Sequence, residues 1–185
     1  MSLLKKNRPF FIFLLKFGLS YLLLSGLYWV YLQQFDAASL EPDGMTHLVA
    51  RQARDLVLLA GDQASISLHP REASYRFFVN LKSVARIVEG CNAISVMILF
   101  TAFIIAFSST FKKTFLFILA GIVILHILNV IRVALLCLGF YYYPDYKELL
   151  HDIIFPLFIY GVVFLLWIVW IKKFSIHAKP KTAGN

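Results

Sequence analysis

The chain reads as an all-α integral membrane protein, a four-helix transmembrane bundle carrying a small extracytoplasmic helix and hairpin segment. Three observations predict this. Of its 185 residues, 60% are hydrophobic, against about 45–50% in ordinary soluble domains, and the mean hydropathy is +0.76. Four stretches meet the requirement of about 20 predominantly apolar residues for crossing hydrocarbon. The basic residues outside the second quarter of the chain gather at the ends of those stretches.

The first stretch, Phe10–Leu32, is interrupted only by Lys16, whose stem can carry its ammonium toward the surface. Lys5, Lys6 and Arg8 ahead of it resemble the start of a signal peptide. The apolar run is longer than a usual signal core, and only Asp36-Ala37-Ala38-Ser39 resembles a cleavage site, so a retained anchor is expected. Residues 33–90 form the extracytoplasmic segment. Beyond Asp43-Gly44, Met45–Ala60 sets Leu48, Val49, Leu56 and Leu59 on a helical stripe, which Gly61-Asp62 ends. Ser65–His69 and Tyr75–Leu81, separated by Pro70 and Arg71-Glu72, suggest a hairpin with a loop longer than two residues. The segment is small for an independent domain and is expected to cap the outer helix ends, forming part of a binding cleft; a lid without substrate contacts is the blander alternative.

Residues 91–171 form the core, with spans at Asn92–Phe111, Thr114–Phe140 and Ile153–Ile171, and residues 172–185 a basic tail. Pro156 falls near the first turn of the last span, where proline is tolerated. Tyr141-Tyr142-Tyr143 reads as an interfacial aromatic belt.

Orientation follows from the basic clusters. Lys5, Lys6 and Arg8, then Lys112 and Lys113 in a tight turn, then Lys172, Lys173, Lys179 and Lys181 fall on one side of four spans. The positive-inside rule makes that side the cytoplasm, with both termini inside. The outer segment carries six basic residues against seven acidic ones, so the net charge of +8 belongs mainly to the flanks. It reads as topology and attraction to anionic membrane lipid, and nucleic acid is not expected as a partner. Absence of CxxC, HExxH and Gly-rich phosphate loops leaves metal and cofactor chemistry without support.

Three residues with chemical potential fall at one expected membrane level. Cys91 precedes the second span behind Glu89-Gly90, with Asn92 a candidate N-cap, so the positive helix end favours its thiolate. Arg132 lies late in the third span, about 27 Å along a helix rising 1.5 Å per residue from Thr114, with Asn129 on the same face. An intramembrane arginine costs about 2.5–3.5 kcal/mol on insertion scales. It either snorkels, pairs with an acid such as Glu89 or Asp152, or clamps an oxyanion. His151 opens the last span and is placed for proton transfer. Asp152 beside it is not expected to form a fixed pair, because adjacent helical residues point about 100° apart. His126 is expected to be satisfied within the bundle. His47, His69 and His177 lack ligand spacing, and Cys137 reads as packing, although a Cys91–Cys137 disulfide stays open.

The string Glu89-Gly90-Cys91-Asn92-Ala93-Ile94, followed by Asn129-x-x-Arg132 and then His151, resembles the exosortase/archaeosortase family, more narrowly its exosortase F type. The likeness runs from Val88 to about Trp170. It implies a membrane cysteine peptidase or transpeptidase whose active site faces the periplasm. The implied substrates are exported proteins ending in a short motif, a transmembrane helix and a basic tail. By motif position, Cys91 would be the nucleophile, Arg132 the oxyanion or carbonyl stabiliser and His151 the general acid/base, with Asn92, Asn129, Glu89 and Asp152 in support. Two features depart from the pattern: many relatives have about twice as many spans, and Ala93 stands where glycine is frequent. Two other classes remain open, a membrane thiol oxidoreductase using Cys91 and Cys137 and a non-catalytic assembly factor.

Overall fold

The computed structural model describes residues 7–35, 40–107 and 109–174; the cleavage-like 36–39, Lys5, Lys6 and the tail beyond 174 lie outside the described residues. Helix α1 (Arg8–Leu32) is followed by α2 (Gly44–Leu59), strands β1 (Ala64–Leu68), β2 (Tyr75–Val79) and β3 (Lys82–Ile87), and then α3 (Ile94–Ala106), α4 (Phe111–Tyr142) and α5 (Phe155–Lys173). Among the described residues, three helical stretches are long and apolar enough to cross a membrane: Arg8–Leu32, Phe111–Tyr142 and Leu149–Lys173.

The second expected span is shorter than the sequence suggests. Helix α3 has 13 residues, about 20 Å of axis, because Ala93 is left-handed at its start and Phe107 leaves helical geometry at its end. It is apolar on every side and packs against α1, α4 and α5. Phe100, Ala102 and Ile104 are fully buried there. Lys112 and Lys113, expected in a turn, lie instead within the first turn of α4.

The fold also contains more sheet than an all-α reading allows. The expected hairpin forms, β1 pairing antiparallel with β2 from Ala64↔Val79 to Leu68↔Tyr75, and β3 adds a third strand in the order β1-β2-β3. The β2–β3 turn is Asn80-Leu81, with positive φ at both residues (46° and 67°), as a two-residue hairpin of the I′ kind requires. No glycine marks it. The Asn80 side chain supports it instead, accepting from the Gln63 N–H at 3.0 Å and donating to Asp62 at 2.8 Å.

Helix α2 begins and ends as the sequence indicates, with Asp43 accepting from the Met45 and Thr46 N–H groups at 3.0 Å and Gly61 at φ 99° beyond its end. Its buried face differs. Thr46, Val49, Ala50, Ala53 and Val57 face inward, whereas Leu48 and Leu59 are exposed. Small residues win those positions because α2 lies closely along the second half of α4.

Helix α4, 32 residues and about 48 Å long, joins two cores. Its first half, with Leu125, packs with Phe100, Ile104, Ile159, Val163 and Trp170. Its second half carries Val130, Val133, Ala134 and Cys137 against Val49, Val57, Phe77, Val79 and Ile87. Gly121 makes room for Phe100, whose ring occupies the place of a β-carbon. The Phe13 ring lies 4.4 Å from that of Phe107, and the Trp170 indole donates to the Phe107 carbonyl at 2.9 Å. These contacts gather the start of α1, the end of α3, the start of α4 and the end of α5. Arg8, Lys112, Lys113, Lys172 and Lys173 therefore share one end of the bundle.

The last expected span starts in a π-helical turn, Leu149–Ile154, in which the Phe155 N–H donates to the Leu150 carbonyl five residues back. Pro156 explains the widening. It has no N–H to offer the Asp152 carbonyl, so an α-helical bond is missing at that level.

Candidate active site

Cys91 lies where β3 turns into the bundle. Val88 is extended, Glu89–Cys91 make one 3-10 turn closed by the Cys91 N–H on the Val88 carbonyl at 2.8 Å, and Ala93 takes φ 61°. Asn92 holds the corner, its Oδ1 accepting from the Ile94 N–H at 2.9 Å. The capping role read for Asn92 is thus made from one residue further out. Cys91 correspondingly sits three residues ahead of α3, closing the 3-10 turn rather than starting the helix.

The turn is tied on three sides. Fully buried Asn92 donates through Nδ2 to the Tyr28 hydroxyl of α1 at 2.9 Å, and Tyr28 donates to Glu89 Oε1 at 2.5 Å. The same Asn92 amide lies 3.4 Å from Asp43 Oδ1 and from Thr46 Oγ1, at the start of α2. On the third side, fully buried Asn129 donates to the Cys91 carbonyl at 2.8 Å, and its Oδ1 accepts from Arg132 Nη1 at 3.2 Å. The three-residue spacing of Asn129 and Arg132 does place both on one face, with Asn129 wedged between sulfur-bearing turn and guanidinium.

Arg132 has no carboxylate partner among the described residues. The two acids considered for it are engaged elsewhere, Glu89 with Tyr28 and Asp152 with His151. Its Nε is buried without a hydrogen-bond partner. A cation so placed has donors to spare and lies within electrostatic range of the Cys91 thiol and Tyr160 hydroxyl.

His151 occupies a different place. It is exposed on the π turn, with Nδ1 2.6 Å from Asp152 Oδ1. This corrects the expectation that neighbours about 100° apart form no pair, because the wider turn reduces the angle between successive side chains. An ionised carboxylate only accepts, so Nδ1 carries the proton and Nε2 is left as the basic atom. Leu150 packs where a β-carbon on Gly139 would stand, and Gly139 lies about two turns beyond Arg132 on α4. The structure thus joins Cys91, Asn92, Asn129, Glu89 and Arg132 in one cluster. His151 and Asp152 form a second, with no hydrogen bond between the two clusters among the described residues. The second lines an open cleft of about 390 Å3 shared with Ser83–Arg86 and Phe140.

Tyr28, Asp43 and Thr46 were not anticipated as supports. Tyr28 looks like one more aromatic in an apolar span; only the helix start signalled by Asp43-Gly44 hinted at a polar partner there. Both cysteines are free, and Cys137 is fully buried in the core between α2, the sheet and the second half of α4. His126 is half satisfied, its Nε2 2.7 Å from Gln52 Oε1 and its Nδ1 without a partner.

A family model described as transmembrane exosortase matches residues 10–171. No curated protein and no solved structure matches the chain. That match takes in every strand and nearly all of every helix, the Cys91 turn, Arg132 and His151 included, so the chain belongs to the transmembrane exosortase family.

Proposed function

We propose that the chain is a cysteine-dependent peptidase or transpeptidase of the exosortase F type. It acts at the outer face of the bacterial inner membrane on exported proteins ending in a motif, a transmembrane helix and a basic tail. The observation that carries this reading is the Cys91–Asn129–Arg132 contact, a thiol-bearing turn fastened to an arginine that no acid among the described residues neutralises. The clustering of Arg8, Lys112, Lys113, Lys172 and Lys173 supports a cytoplasmic location for that end, and hence a periplasmic one for the site.

In the proposed reaction, the Cys91 thiol gives its proton to His151 Nε2 and attacks the scissile carbonyl. A C–S bond forms, and Arg132 faces the oxyanion. The C–N bond then breaks as protonated His151 returns the proton to the leaving amine, releasing the tail helix and leaving a thioester on Cys91. Water, an amine or a lipid acceptor, deprotonated by His151, attacks the thioester and frees the thiolate. Substrate binding has to draw the π turn over Cys91, and its irregular hydrogen bonding makes that segment the natural one to deform.

The test is co-expression with an exported protein bearing such a C-terminus. Wild type removes the tail, whereas Cys91→Ala, Arg132→Ala and His151→Ala leave it intact at equal membrane levels. An intact substrate beside stably expressed wild type, over several such candidates, contradicts the reading.

A further inference from the structure

We infer that the free edge of β3 is a docking strand for the extended polypeptide that precedes the substrate's membrane helix; this rests on the proposed reading that the enzyme acts on exported polypeptides. Strand order β1-β2-β3 leaves β3 at an edge, paired only with β2. Ser83, Val84, Ala85 and Arg86 all line the cleft that His151 also lines. Val84 is left over between the Phe77↔Ala85 and Phe78↔Ser83 pairs, a bulge that interrupts the alternation of faces, and the unpaired side of β3 borders the cleft that all four residues line. That edge presents N–H and C=O groups to whatever lies in the cleft, the requirement for adding a strand.

The cleft volume, about 390 Å3, lies within the range of roughly 300–1,000 Å3 usual for ligand sites. Phe140 supplies an apolar wall, and His151 and Asp152 line the same cleft as β3. A second copy of this chain is a poor occupant, since edge-to-edge pairing would bring Lys82 and Arg86 of one copy toward those of the other.

Direction follows from connectivity. Strand β3 runs through Val88 into the Cys91 turn and then into apolar α3. A substrate whose next element is also an apolar helix must enter the bundle the same way. Its extended segment therefore runs parallel to β3, with its carboxyl-terminal end delivered toward Cys91.

Photo-crosslinking tests this in the full chain carrying Cys91→Ala, co-expressed with an exported protein ending in motif, apolar helix and basic tail. Benzoylphenylalanine replaces Ser83, Arg86 or, as a far-edge control, Ser67, all exposed positions. The expected result is several-fold stronger crosslinking to that substrate from Ser83 and Arg86 than from Ser67. Arg86 should reach residues nearer the tail helix than Ser83 does. Equal crosslinking from Ser67, or adducts at Ser83 and Arg86 only to lipid or a second copy, overturns the docking strand, and a reversed order overturns its parallel course. Tail removal by the wild type is scored beside it: removal without β3 crosslinks sinks this inference alone, whereas ordered crosslinks without removal sink the proposed reaction and leave the docking strand standing.

Discussion

The two halves of the candidate site are built in opposite ways. Around Cys91, side chains from α1, α2 and α4 converge, and Asn92 and Asn129 are completely buried while holding backbone or side-chain partners. Around His151, a single contact to the neighbouring Asp152 organises an exposed π turn. Preorganisation matters most where charge develops, and a proton carrier can arrive on a segment that moves. The difference teaches that this fold fixes the proposed nucleophile and its arginine while leaving the proposed acid/base group on an exposed π turn.

The largest effect expected is the all-or-none one. Cys91→Ala abolishes tail removal, while Cys137→Ser retains it, since the buried Cys137 thiol supports packing and not chemistry. Loss of activity in Cys137→Ser would favour a redox pair. His151→Ala should slow removal by about 10²-fold or more, the usual contribution of general acid–base catalysis. Arg132→Lys keeps the charge but loses the donor fork. Quantified cleavage should fall by up to about 10²–10³-fold, the cost of losing one oxyanion donor, and a fully active lysine variant would remove the clamp from the account.

Asn129→Ala should act through stability as well, leaving the Cys91 carbonyl without its donor and costing about 1–3 kcal/mol in detergent melting. The matching change on the other side, Asp152→Asn, should leave the melting point nearly unchanged, because the pair is exposed. Equal shifts in both variants would erase the contrast between the halves. The smallest effect expected belongs to Ala93. It sits at φ 61° with 4% exposure, so Ala93→Gly should relieve strain and stabilise by about 1 kcal/mol. A destabilised glycine variant would mean that packing of the Ala93 methyl outweighs its backbone.

Ala93 also illustrates what sequence can and cannot reveal. The frequent glycine of the family at this position marked something unusual, and the left-handed backbone supplies the physical reason. Long apolar runs revealed α1, α4 and α5 because hydrophobic length alone dictates a span. The truncation of α3 was hidden, since its apolar run continues through the residues where the backbone leaves the helix. Strand β3 was hidden because the Asn80-Leu81 turn lacks the glycine that normally announces it. In the site, the three-residue spacing exposed Asn129 and Arg132 as neighbours. Tyr28 and Asp43 were out of reach, for nothing local records that helices far apart in sequence meet at Asn92. The π turn was equally silent, although Pro156 in hindsight is its cause.

The most direct measurement is of the acyl-enzyme itself. With a tail-bearing exported protein co-expressed with the wild type and the membranes quenched in acid, mass spectrometry of the purified enzyme should find the substrate's new carboxyl end joined to Cys91 through a bond that neutral hydroxylamine cleaves. Tail removal proceeding with Cys91 unmodified, or an adduct carried by Cys137 instead, would contradict the account.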